Sequence, residues 1–316
     1  MKRVLLPVLL AAATLAQAAA PAPKPADGPH PWTPVAFCFW GDSQSTRIDA
    51  DVRCARLGLF YSQNHDVSLL DFALGCTEAE GDESALQVSC VNIVDGNEAG
   101  LQLGLFANWV NESHHGIQVA GLFNFGGFEA DRPVPIRERK NNPALAPGEN
   151  FVKIPPSAGL QLAGGFNRSR DFTGLQLAFL MNSSRCLRGG QIAAINMPAK
   201  DSIHGFQLGL VNSGAFDFHG LQAGVICTSC ARDSRDAAGN TRTFARLSGL
   251  QLGLVTSTGD LHGGQVGVVN LADSVSGFQL GVYNRAKVLR RGVQIGLLNQ
   301  RGDSDIPFLP LVRATF

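Results

Sequence analysis

Gly277-Phe-Gln-Leu-Gly-Val-Tyr-Asn284 is the clearest copy of a unit that decides how this 316-residue chain folds. Phe278, Leu280 and Val282 fall on one side of a two-residue period and Gly277, Gln279 and Gly281 on the other. The segment therefore reads as a β-strand with one apolar face and one small or polar face. The unit, G-h-Q-h-x-h-h-N with h apolar, recurs from Ala85 to Asn299. Its glutamines are Gln87, Gln102, Gln118, Gln161, Gln176, Gln191, Gln207, Gln222, Gln251, Gln265, Gln279 and Gln294. They stand 14 to 16 residues apart except for one step of 43 and one of 29, and the residue two before each is Gly, with Ala85 the exception.

An asparagine follows the glutamine by five residues in some units (Asn92, Asn196, Asn212, Asn270, Asn284, Asn299) and by six in others (Asn108, Asn124, Asn167, Asn182), with Cys227 and Thr256 in its place in the remaining two. The extra residue flips the side-chain phase and predicts a β-bulge or a longer strand in the long units. Patterning extends back to an apolar residue two before the glycine (Phe172, Leu187, Ile203, Phe218, Leu261, Val275), which gives strands of roughly ten residues. Asp95-Gly96, Ser213-Gly214, Thr258-Gly259 and Arg301-Gly302 fall between them and read as hairpin turns. Val35 to Trp40, Leu57 to Ser62, Leu69 to Gly75 and Phe308 to Phe316 read as four further, degenerate strands.

The expected fold is all-β, a repetitive antiparallel meander of about 16 strands closed into a β-barrel, closure being what removes the aggregation-prone edges. With the apolar face outward this is an outer-membrane barrel. Its even strand number and alternating segments suit that reading, and the terminal Phe316 resembles the assembly signal of such barrels. The low count of 3 Trp and 2 Tyr argues against it. So does the placing of the two long loops, which would leave the barrel at opposite ends. The alternative is a β-solenoid in which Leu/Val faces form a dry core, glutamines face water, two units make a coil, and Gln and Asn ladder up the stack.

Residues 1 to 20 read as a secretory signal peptide: Met1-Lys2-Arg3, an uncharged run from Val4 to Ala16, then Gln17 to Ala20 with an A-x-A-type cleavage site. Residues 21 to 34 read as a Pro/Ala-rich linker, and residues 35 to 316 as one repeat-built domain with exposed loop insertions at 125–157 and 231–246. The expected location is the outer membrane or cell surface of a Gram-negative bacterium, with membrane lipid as the expected partner. Lys+Arg (26) and Asp+Glu (26) balance without a basic cluster, which speaks against nucleic acid.

Export permits disulfides, and seven cysteines leave at least one without a partner inside the chain. Cys227-Thr-Ser-Cys230 reads as a possible local disulfide rather than a zinc site, since no matching Cys/His pair accompanies it. His115, His204, His219 and His262 each precede a repeat glycine. They read as a polar strand-start position, and only a solenoid with one unit per coil would bring His204 and His219 to about 4.8 Å spacing. No hydrolase elbow, P-loop, zincin or EF-hand motif is present, so neither catalysis, a cofactor nor a metal is expected.

The units, with Arg56-Leu-Gly-Leu-Phe-Tyr-Ser-Gln-Asn64, Val67-Ser-Leu-Leu-Asp-Phe-Ala-Leu74 and Ile306-Pro-Phe-Leu-Pro-Leu311, resemble a family of bacterial exported surface-repeat-containing proteins first noted in leptospires. The resemblance spans roughly residues 35 to 316 and implies export and an envelope location, with no catalytic residue to carry over. The expected role is that of a non-enzymatic envelope protein: a barrel with a structural or pore-like role or, alternatively, a surface-displayed solenoid acting as a binding or adhesion module.

Overall fold

In the computed structural model the chain divides into Met1–Pro31 and Trp32–Phe316, and the second unit holds the repeats. Residues 30–40, 43–127, 131–133, 151–197, 202–214, 217–229, 232–235 and 241–315 are described. The expected signal peptide, most of the linker, Cys230 and Phe316 lie outside them. Trp32 to Pro34, read from the sequence as the end of the linker, belong to the strand Trp32–Trp40.

The described residues form an all-β solenoid without a helix. The antiparallel barrel is overturned by the pairing: successive repeats lie parallel and in register. Gln161 is paired with Gln118 on one side and Gln176 on the other, Gln191 with Gln207, and Gln222 with Gln251. Each unit therefore makes one coil of 14 to 16 residues, half the length expected for the solenoid alternative. Of the four expected hairpin turns, Arg301-Gly302 does stand at one, between the final coil and the antiparallel last strand. The others lie along the parallel coils, as where Ser213 and Gly214 stand beside Thr228 and Ser229.

A coil has two strand segments with a corner between them. In one, Ser157–Ala163 carries the glutamine, the chain bends at Gly164 and Gly165, and Asn167 opens the strand Phe166–Ala178 that runs on into the next coil. Parallel pairing is favoured because it sets each residue type on its own kind. Antiparallel neighbours would bring an interior glutamine against whatever sits at the mirrored position.

The repeat glycine is the steric condition for this stack. Gly174 holds φ at 138°, a conformation that costs an L side chain dearly. A Cβ there would also sit 2.0 Å from the carbonyl oxygen of Gly159 in the preceding coil, and at Gly189 it would meet that of Gly174 at the same distance. The change in unit length is absorbed at a corner: the register slips between Ser89 and Val91 where the five-residue unit of Gln87 meets the six-residue unit of Gln102, which is the expected bulge.

Both insertions leave the stack unbroken. Asp131–Pro133 and Phe151–Lys153 form an antiparallel hairpin stem, as do Arg232–Arg235 and Thr241–Phe244, while the coils on either side pair directly. Of the degenerate strands, Leu57 to Ser62 and Leu69 to Gly75 belong to coils like the others, whereas Trp32–Trp40 lies parallel on the next coil but is followed by Ser43–Gln44, which pairs back on it antiparallel. The last, Phe308–Thr315, lies antiparallel on the final coil and covers its edge, and Pro310 keeps its own outer edge from accepting another strand.

Substituting Gly189→Ala is expected to lower the urea midpoint sharply or prevent folding, since backbone strain alone is worth about 1–3 kcal/mol and the clash adds to it. The outward-facing Leu210→Ala should change the midpoint little by comparison, and circular dichroism during urea titration of both variants measures the contrast.

Candidate functional site: an amide-filled interior and an apolar outer wall

All twelve glutamines are fully buried, which corrects the expectation that a solenoid would turn them to water. Each donates from Nε2 to Oε1 of the glutamine one coil before it at 2.6–2.9 Å, from Gln294 back to Gln87, and Gln87 donates to the Asp71 carboxylate at 3.1 Å. Asp71 is held by Arg56 through Nε at 2.7 Å and Nη2 at 2.5 Å, and Arg56 also donates to the Glu78 carbonyl. A carboxylate can only accept, so Asp71 sets the direction of the whole ladder. Burial opposes the charge of Arg56, but the Asp71 carboxylate outweighs it and holds the guanidinium above its ordinary value.

The asparagines form a second ladder of the opposite sense. From Asn92 to Asn212 each donates to Oδ1 of the asparagine one coil later at 2.7–3.2 Å. The same Nδ2 atoms reach main-chain carbonyls, as Asn124 does Leu162 and Asn167 does Leu177, and a carbonyl fixes which end of the amide faces it. The two rows of amide dipoles thus oppose each other. Asn212 donates on to Sγ of Cys227 at 3.7 Å, but Cys227 donates to the Leu252 carbonyl, so the row breaks there and restarts at Thr256, which donates to Asn270 at 2.7 Å. Cys227 is a buried thiol whose pKa burial pushes up; the disulfide proposed for it has its other half, Cys230, outside the described residues.

Beside the ladders runs a column two residues before the glycine. It is apolar from Phe172 through Leu187, Ile203, Phe218, Leu247 and Leu261 to Val275, forming the dry part of the core. Upstream the same column carries Glu83, Glu98, His114 and Ser157, all buried. His114 contacts Glu98 through Nδ1, whereas both oxygens of Glu83 and Nε2 of His114 have no hydrogen-bond partner among the described residues. Burial, with the nearby Asp71 charge, pushes the Glu83 carboxyl well above its ordinary value.

Reading units singly hid this cluster, yet a signal was there. Asp71 and Arg56 lie 16 and 31 residues before Gln87, continuing the glutamine period, and Glu83, Glu98 and His114 stand where later units place an apolar residue. At the far end Arg313 stands opposite Gln294 in the antiparallel register, but its guanidinium donates to the Ile306 and Pro307 carbonyls, and Oε1 of Gln294 has no hydrogen-bond partner among the described residues.

The apolar side chains flanking each glutamine point outward. Among the most exposed are those three residues after it: Phe179 is 78% exposed, Leu210 60% and Leu297 67%. From the residue before the glutamine to the asparagine, none of the twelve units holds a charged residue. The result is an uncharged wall along the solenoid. In its last coils a groove of about 800 Å³ runs between the columns of Leu252 and Leu254, floored by Gly253 and its equivalents and closed by Leu311 and Val312.

His204 and His219 stack with centroids 4.8 Å apart and rings 1° from parallel, the arrangement expected of one unit per coil. Parallel rings hold their nitrogens in separate planes and cannot converge on one ion. No family model, curated protein or solved structure matches the chain.

Gln207→Leu would leave Gln222 Nε2 and Gln191 Oε1 unpaired and is expected to cost on the order of 3 kcal/mol in urea unfolding. Gln294→Leu, at the ladder's open end, strands one partner only and should cost about half as much. A second measurement concerns Glu83. Because its folded value is raised, its contribution is fully present below about pH 4.5 and is lost as pH rises through the folded value. Between pH 5 and pH 8 the urea midpoint should fall more in the wild type than in Glu83→Gln.

Proposed function

We propose that this chain is an exported, non-enzymatic binding module, a surface-displayed β-solenoid that engages its partner through the uncharged outer wall. The observation that carries the reading is the outward direction of the apolar residues in every glutamine unit. A soluble protein rarely exposes a contiguous apolar patch of more than a few hundred Å², and larger ones mark interaction surfaces. The buried amides support a non-catalytic role, since their hydrogen-bonding capacity is taken up by the ladders instead of being aimed at a substrate cavity.

The signal-like residues 1 to 20 and the likeness of the units to exported surface-repeat proteins support a location in the bacterial envelope. A role at the outer membrane is part of this proposal in a changed form. A solenoid has no lumen, so it carries no pore function, and lipid would be met by the wall rather than by a transmembrane barrel.

The test is adsorption of the secreted chain to alkyl-terminated and hydroxyl-terminated surfaces, followed by mass sensing. Strong, selective uptake on the alkyl surface is expected, with at least a tenfold loss for the triple substitution Leu105→Asp, Leu210→Asp and Val225→Asp, which places a charge three residues after the glutamine in three separate coils. Equal uptake by wild type and variant would remove the wall as the binding surface.

A further inference from the structure

We infer that the partner of the wall is a second copy of this chain, two solenoids meeting face to face about a two-fold axis. The inference rests on the binding-module reading and adds the identity of the partner.

Size is the first argument. Twelve coils at about 4.8 Å per step give a strip about 53 Å long, and the outward stretch of each unit, at about 3.3 Å per residue, is about 17 Å wide. That is on the order of 900 Å² per face, against the roughly 800 Å² that each partner contributes to a stable protein interface. One copy therefore supplies the area another needs.

Shape is the second. The residues three after the glutamine, such as Leu254, Val282 and Leu297, stand up as a ridge, at 55%, 47% and 67% exposure. Beside them the groove runs over a floor of glycines at the same pitch. In these last four coils a ridge and a groove lie side by side on one face and are self-complementary: a two-fold axis lays the ridge of each copy into the groove of the other at the shared coil spacing, and the uncharged wall of the earlier coils extends the contact. A fluid lipid surface would require neither feature.

Charge is the third. The chain carries a formal net charge of +0, and the strip carries no charged residue at all, so no long-range repulsion opposes the approach of two copies and no charged group has to be desolvated. The charged side chains that the structure does pair, such as Lys287 with Asp273 and Arg185 with Asp171, belong to stretches outside the strip.

Sedimentation velocity of the secreted chain, from about 0.5 to about 50 µM, a range that brackets the micromolar affinities of ordinary interfaces, tests the inference. The expected result is a species of twice the chain mass that persists at micromolar concentration, and a single-chain mass for Leu254→Asp/Val282→Asp/Leu297→Asp at every concentration, with unchanged β circular dichroism. Should that variant not fold, Leu105→Asp/Leu210→Asp in earlier coils provides the same comparison. A wild type of single mass at the highest concentration, or a variant that stays double, overturns the second copy as partner. Flotation with neutral phosphatidylcholine vesicles and the alkyl-surface measurement then separate the two readings. A single-mass protein that floats or adsorbs through the wall refutes only the pairing of copies, whereas one that does neither refutes the binding-module reading as well.

Discussion

The interaction on which everything else depends is the side-chain amide bond from one coil to the next. A glutamine in a protein interior is costly unless both ends of its amide are satisfied, the penalty being about 1–3 kcal/mol for each group left unpaired. Stacking identical residues at the strand spacing satisfies the nitrogen of one with the oxygen of the next. This requires parallel, in-register coils, and those in turn require a residue without a Cβ where the backbones come closest. Glycine at the head of the unit and glutamine two residues later are thus parts of one condition. Neither makes the fold without the other.

A ladder also has ends, and here they differ. The donor end terminates on Asp71, neutralised by Arg56, whereas Oε1 of Gln294 at the other end has no hydrogen-bond partner among the described residues. The opposite sense of the asparagine row keeps the amide dipoles from summing along the axis. The faults are informative as well. The second row breaks between Cys227 and Thr256, and Glu83, Glu98 and His114 interrupt a column that is apolar both before them, at Val52 and Val67, and after them, from Phe172 onward.

Filling the interior with amides has a consequence for the exterior. In most domains the apolar residues of a strand form the core, and polar ones meet water. Here the inner positions are taken by glutamine, asparagine and glycine, which leaves leucine, valine and phenylalanine outside. The outer wall is therefore tied to the ladder by the alternation of a strand, and the binding surface and the core are two sides of the same repeat.

Much of this was legible in the amino-acid order. The all-β class and the strand-forming repeat follow from a two-residue period and a recurrence of 14 to 16 residues, both of which are local properties, whereas the antiparallel setting of the last strand was not distinguished from the rest. Whether neighbours run parallel or antiparallel is not local, because a strand alternates in the same way in either. Hydropathy argued for Gln279 in water and Leu280 inside a solenoid, and it failed because it prices a glutamine alone, not a column of them hydrogen-bonded to one another. Only the tertiary structure, which brings Gln279 to within 2.7 Å of Gln265, decides which face is the interior. The sequence determined the repeat; the contact between repeats determined its inside and its outside, because a buried amide becomes tolerable only once its neighbour is in place.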